Sequence, residues 1–227
     1  MEPLAIEVKT DGGLTVRGQE WPVQGPPIVM LHDHGDDLDS WRGVDRLLAD
    51  QGFRVINLDL PNHGLSDEQG DDRSVAETVT EILKSLSGVW GPVGLCSYGS
   101  ISVDLSQLRG QGGPATHVMV SPRGTGTVAC SQPNAGQEVP QFVVAATNDG
   151  ERSDEARAVF DGLGTQKLWA SVAATDHGPA LIRNRTHLLD DIAIFFRRTL
   201  VPAHLTWTAS THEEAAAEFL GTESKGE

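Results

Sequence analysis

The stretch Gly91-Pro92-Val93-Gly94-Leu95-Cys96-Ser97-Tyr98-Gly99-Ser100 decides the reading of this chain. It is a short apolar strand running into small residues, followed by a helical pattern at Ile101, Val103, Leu105 and Leu108. A serine at a sharp strand-to-helix turn is pushed out of a sheet into a cleft. There the backbone N–H of the following residue can stabilise a developing oxyanion. The stretch alone is equally compatible with a glycine-rich turn that carries an incidental serine, so the rest of the chain must arbitrate.

Outward from that turn, strands and helices alternate. Leu4–Val8 and Leu14–Arg17 flank Asp11-Gly12-Gly13, a hairpin signal. Pro26–Leu31 is a continuous apolar run, suited to a strand covered on both faces. Asp39-Ser40 is expected to cap a helix with Trp41, Val44, Leu47 and Leu48 on one side, ending at Gly52. Phe53–Leu60 reads as a strand. Ser74-Val75-Ala76-Glu77 is a capping box opening an amphipathic helix through Leu86. Strands follow at His117–Val120, Gln141–Ala146 and Lys167–Ala173, with a helix at Ser153–Phe160 and one long helix over Pro179–Leu200. This alternation predicts an α/β class with a mostly parallel central sheet and helices on both faces.

The order also places three reactive residues just after strands: Ser97, Asp149 and His177. In a parallel sheet those ends share one edge, where ligands bind. A serine hydroxyl is a weak nucleophile until an imidazole takes its proton, and a carboxylate must hold that imidazole in one tautomer. The order Ser…Asp…His in these contexts resembles the α/β-hydrolase family. Leu31-His32-Asp33-His34-Gly35 is similar to that family's oxyanion loop. Asp59-Leu60-Pro61-Asn62-His63-Gly64-Leu65-Ser66 resembles its Asp-x-Pro-Gly-His-Gly-x-Ser segment. The likeness extends over about residues 4–200. It implies an α/β-hydrolase fold with Ser97 as nucleophile, His177 as base, Asp149 as its orienting partner, and the N–H groups of His34 and Tyr98 as oxyanion hole. Two positions depart from the family: Leu95 and Asp33 stand where it has glycine. A carboxylate at 33 disfavours a nearby oxyanion unless it is paired or points away.

The resemblance implies hydrolysis of a carboxylic ester or thioester through an acyl-serine, with no metal or organic cofactor and with a small-molecule or carrier-tethered acyl substrate. An acyltransferase or cyclising thioesterase with the same triad, and a non-catalytic binding protein on the same fold, remain alternatives. His32-Asp33-His34-Gly35-Asp36-Asp37 also resembles the His-x-His-x-Asp zinc motif of metallo-β-lactamases, which leaves a metal-dependent hydrolase as a further one. Cys96 precedes the turn and is expected to pack inward.

The 227 residues fit one domain, placed at 1–201, and a polar tail over 202–227 that has one short helix at most. Pro122–Pro140, rich in Gly, Ser, Thr and Pro, is expected to be a loop too short for a cap domain, leaving the site open. A net charge of −15 argues against nucleic acid and anionic membranes as partners. Two cysteines and a start without a basic flank or apolar core point to a reduced, cytoplasmic protein.

Overall fold

In a computed structural model, residues 1–70, 73–124, 138–164 and 166–200 are described. An eight-stranded sheet runs in the order β1-β2-β4-β3-β5-β6-β7-β8. Its strands are β1 Leu4–Lys9, β2 Thr15–Trp21, β3 Pro27–Leu31, β4 Arg54–Leu58, β5 Gly94–Tyr98, β6 Thr116–Val120, β7 Gln141–Ala146 and β8 Lys167–Val172. The β1–β2 hairpin closes across Lys9 and Thr15, and β2 lies antiparallel on β4. From β4 to β8 every pairing is parallel. The order reverses at β3, whose two parallel neighbours are β4 and β5. Crevices beyond the carboxyl ends of strands at such reversals are where ligands bind.

The central strands β3, β5, β6 and β7 are buried at every residue, as near-continuous apolar runs require. Strand alternation sends successive side chains to opposite faces. Met30, Cys96 and Val118 join Trp41, Val44 and Leu48 with Ile192 and Phe196 in one apolar layer. Val29, Leu31 and Leu95 join Val79, Ile82 and Leu83 of α2 (Val75–Trp90) and Ile101 and Leu105 of α3 (Ile101–Leu105) in the other. The capping box at Ser74 forms as expected: its hydroxyl accepts from the Glu77 N–H, and the Glu77 carboxylate accepts from the Ser74 N–H.

Two helices differ from expectation. The one assigned from Asp39 is a 3-10 turn at Leu38–Trp41, capped by Asp37, then a separate α1 at Val44–Asp50. The join is at Arg42 and Gly43, both with positive φ (50° and 87°), which no α-helix accommodates. The long C-terminal helix is also two: α5 Pro179–Arg183 and α6 Thr186–Leu200. Asn184 and Arg185 at the break both turn towards Asp176, by a 3.1 Å hydrogen bond and a 3.6 Å ion pair. Between β7 and β8, α4 (Glu151–Gly162) covers Met119 and Val143. The expected loop over Pro122–Pro140 falls largely, and the tail over 202–227 wholly, outside the described residues. No described helix is long and apolar enough to cross a membrane.

Candidate active site

At the carboxyl edge of the sheet, Asp149 follows β7 and His177 follows β8. Hydrogen bonds from the Thr147 and Asn148 N–H groups to the Val172 and Ala174 carbonyls tie the two segments together. His177 Nδ1 lies 3.6 Å from Asp149 Oδ2, an ion-pair distance, with the carboxylate largely covered and the imidazole about half exposed (16% and 53%). The next residue is anchored too: the Gly178 N–H donates to Ser121 Oγ at 3.0 Å. Ser121, at φ 45°, ends β6 in a strained conformation and fastens the histidine loop to the neighbouring strand end. Sequence reasoning passed over Ser121, because nothing local distinguishes it from any other loop serine.

His177 borders a cleft of about 340 Å³ with Asp36, Ser40, Arg42, Tyr98, Thr175 and Pro179. An adjoining pocket of about 140 Å³ is lined by Asp33, Gly99, Ser121, Arg123 and Arg152, again with Tyr98 and His177. Tyr98 Oη donates to Asp36 Oδ2 at 2.7 Å; burial and that carboxylate push the phenol pKa upward, so it remains a proton-bearing group. Burial pushes the Cys96 thiol upward as well, which leaves it a packing residue.

Ser97 does not reach this cleft. The strand continues through Tyr98, and alternation turns Ser97 into the layer beneath α3, fully buried. Its Oγ lies 2.8 Å from Ser102 Oγ and 2.8 Å from Nε2 of His117 on β6. Burial, reinforced by Arg109, lowers the His117 pKa to about 3, so the ring is neutral. Its Nδ1 has no partner among the described residues. The expected meeting of Ser97 with His177 is therefore corrected: the structure brings together His177 and Asp149, and places Ser97 with a different histidine.

The residue at the turn is Gly99, with φ 72°. Positive φ falls there because Cys96, Ser97 and Tyr98 all hold extended backbone, and only glycine takes that region without a Cβ penalty. Asp33 fills the space a side chain at 99 would take: a Cβ built on Gly99 would lie 2.0 Å from Asp33 Oδ2 and 2.2 Å from its Cγ. Asp33 Oδ1 accepts from the N–H groups of His34 (2.9 Å), Ser100 (2.8 Å) and Ile101 (3.3 Å), and from Ser100 Oγ (2.6 Å). Oδ2 pairs with Arg123 at 3.1 Å. Burial raises the Asp33 pKa, but the donors from Ser100 and His34 and the Arg123 charge outweigh it, and the carboxyl stays below its ordinary value.

The two residues expected to form the oxyanion hole separate here. The His34 N–H does converge on this point. Tyr98 lies within β5, and the donors beside His34 come from Ser100 and Ile101 instead. The sequence held one signal for the shift. Leu95 fails the small-residue rule around a turn at 97, whereas Ser97-Tyr98-Gly99-Ser100 fits a turn centred on Gly99.

The histidines singled out earlier have structural partners. His32 Nε2 accepts from the Leu60 N–H at 2.9 Å and its Nδ1 donates to the Asp33 carbonyl at 2.8 Å. His63 accepts from the Gly35 N–H and donates to the Pro61 carbonyl. His34 Nε2 is 3.0 Å from Asp104. Among the described residues, no three His, Cys, Asp or Glu side chains converge as metal ligands.

Comparison with known proteins follows the same lines. Residues 26–89 match the sequence profile of a family described as alpha/beta hydrolase fold. A 52-residue segment is 48% identical to a protein of Mycobacterium bovis, covering 23% of this chain and 15% of that one. A 129-residue segment is 32% identical to the dihydrolipoyllysine-residue acetyltransferase component of the acetoin cleaving system of Pseudomonas putida, covering 55% of this chain and 33% of that one. The chain thus matches less than half the length of either relative. Among solved structures, an esterase of Pyrococcus furiosus is similar over 88% of this chain and 92% of its own, with a TM-score of 0.67 at 14% identity.

Proposed function

We propose that this chain, which matches an alpha/beta hydrolase fold profile over residues 26–89 and shares its fold with solved esterases, is a hydrolase whose base is His177, oriented by Asp149, acting in the cleft at the carboxyl edge of the sheet. The observation that carries this reading is the His177–Asp149 pair at 3.6 Å, with the imidazole open to the cleft and the carboxylate covered. In that arrangement Asp149 stabilises the ring when it takes a proton, and Nε2 is left to face water or substrate.

Cleavage of an ester or thioester through acyl-Ser97 would require its Oγ to leave His117 and Ser102 and cross to the other side of a buried strand. Acyl transfer through the same serine meets the same obstacle. The reading kept here retains the hydrolytic class and the base, and sets the serine aside. A second reading, a hydrolase-fold binding protein, is favoured by one observation: a carboxylate already occupies the N–H donors that an oxyanion would need.

The test is turnover of carboxylic esters, acyl-thioesters, epoxides and haloalkanes by the wild type, His177→Ala and Ser97→Ala. The hydrolase reading expects hydrolysis in at least one class, abolished in His177→Ala and retained in Ser97→Ala. No turnover in any class would leave the binding protein. Covalent labelling of Ser97 by a fluorophosphonate would restore the acyl-serine route.

A further inference from the structure

We infer that the small pocket beside His177 receives a free carboxylate of the substrate, with the Arg152 guanidinium and the Ser121 hydroxyl as its donors. This rests on the hydrolase reading above and names the substrate class: a short molecule carrying a carboxylate a few bonds from the linkage to be cleaved. The starting point is which polar groups around the cleft are already engaged. Every described carboxylate that borders the cleft or its adjoining pocket has a donor. Asp33 takes three N–H groups and a hydroxyl on Oδ1 and Arg123 on Oδ2. Asp36 takes the Tyr98 hydroxyl, and Asp176 takes Asn184 and Arg185. Behind the imidazole, Asp149 faces His177. The cations differ. Among the described residues, no carboxylate pairs with the guanidinium of Arg152 in the small pocket or of Arg42 in the larger cleft. Ser121 Oγ accepts from the Gly178 N–H, which leaves its own proton without an acceptor among the described residues. What stays uncommitted around His177 is therefore donors, in a chain whose net charge is −15.

The fold brings these donors to one place. Ser121 follows β6, and Arg152 stands in the first turn of α4, where its N–H donates to the Asp149 carbonyl at 3.3 Å. The turn that carries the partner of His177 thus carries the anion donor as well. Asp33 keeps Arg123 on the same wall at 3.1 Å, its charge already balanced. The pocket measures about 140 Å³, on the order of four waters at ~30 Å³ each, which suits a carboxylate on a short stem. A planar guanidinium offers parallel N–H groups that match the two oxygens of a carboxylate. Asp33 and Asp36 border the same space and repel a second negative charge, which favours a singly charged carboxylate over a phosphate. With its carboxylate there, a substrate lays its cleavable linkage against His177 and its remainder in the cleft of about 340 Å³, since both spaces share Tyr98 and His177. Arg152 then fixes the register of the substrate and takes no part in proton transfer.

The experiment titrates the full chain calorimetrically with glutaramate, a short carboxylate ending in an inert amide, with its neutral counterpart glutaramide, and with inorganic phosphate. Glutaramate is expected to bind the wild type, and the other two to bind more weakly by about tenfold or more. Arg152→Gln, checked for folding by circular dichroism, is expected to raise the glutaramate Kd by about 10–100-fold. Arg198→Gln removes the same charge from the exposed side of α6 and is expected to leave that Kd within about twofold. Against the substrate class that the wild type hydrolyses, glutaramate is expected to compete, and the Arg152→Gln enzyme to escape that inhibition. Absence of glutaramate binding, equal binding of glutaramide, tighter binding of phosphate, or non-competitive inhibition overturns the inference. So does an equal loss in Arg152→Gln and Arg198→Gln, or a loss confined to Arg42→Gln. In each of these cases hydrolysis that depends on His177 keeps the hydrolase reading. Arg152-dependent binding of glutaramate in a protein with no turnover in any class upholds the pocket and overturns the hydrolase reading instead.

Discussion

Gly99→Ala tests the geometry on which the site depends. The alanine Cβ must enter a place where Asp33 Oδ2 and Cγ lie 2.0 and 2.2 Å away, at a backbone φ of 72°. Left-handed backbone costs an L-residue about 1–2 kcal/mol. Expelling the carboxylate from its donors adds about 1.5–3 kcal/mol, the worth of hydrogen bonds to a charged group. The single substitution is therefore expected to cost about 2.5–5 kcal/mol, much of a typical domain's stability. Asp33→Gly alone removes the acceptor but no backbone freedom and should cost about 1.5–3 kcal/mol. In the double variant the clash is gone and only the φ penalty is added to the lost hydrogen bonds. Its cost should fall short of the sum of the singles by about 1.5–3 kcal/mol, the displacement counted twice in that sum. Urea unfolding of the four proteins, with comparable slopes, gives the coupling directly. Additivity within about 0.5 kcal/mol would mean that Asp33 does not occupy the space over Gly99.

Three further outcomes are expected. Ser97→Ala leaves both ring nitrogens of buried His117 without a partner, so it should destabilise by about 1–3 kcal/mol in denaturant melts while turnover survives. Acid should destabilise the fold through His117. The unfolded ring takes a proton near its ordinary 6.5 and the folded one only near about 3, so stability falls as pH drops through that window, by at most about 1.4 kcal/mol per unit. His117→Leu should flatten that slope, whereas Asp33, with its depressed pKa, contributes its own loss only as pH falls below the ordinary 3.8; an unchanged slope in His117→Leu would refute the assignment. Finally, Asp33→Gly combined with Gly99→Ser frees the His34 and Ser100 N–H groups and puts a hydroxyl at the turn. That double variant should react with a fluorophosphonate at position 99 while the wild type stays unlabelled, and mass spectrometry of the labelled peptides decides it.

Periodicity and turn chemistry in the sequence were enough to determine the order of strands and helices, the capping box at Ser74 and the sheet edge at which Asp149 and His177 meet. Those features depend on neighbours a few residues apart. Which residue of Cys96-Ser97-Tyr98-Gly99 stands at the reversal was decided by the tertiary structure, since a residue kept inside the extended strand points to one face of the sheet, whereas one at the reversal projects beyond its edge. With the strand extended through Tyr98, Ser97 falls to the layer of Ser102 and His117, and positive φ passes to the one residue without a Cβ. The same holds for Asp33. Its carboxylate finds donors at Ser100 and Ile101, 67 and 68 positions away in the chain, and fills the absence at Gly99. No local pattern encodes such a fit; it exists only where β3 and β5 lie side by side.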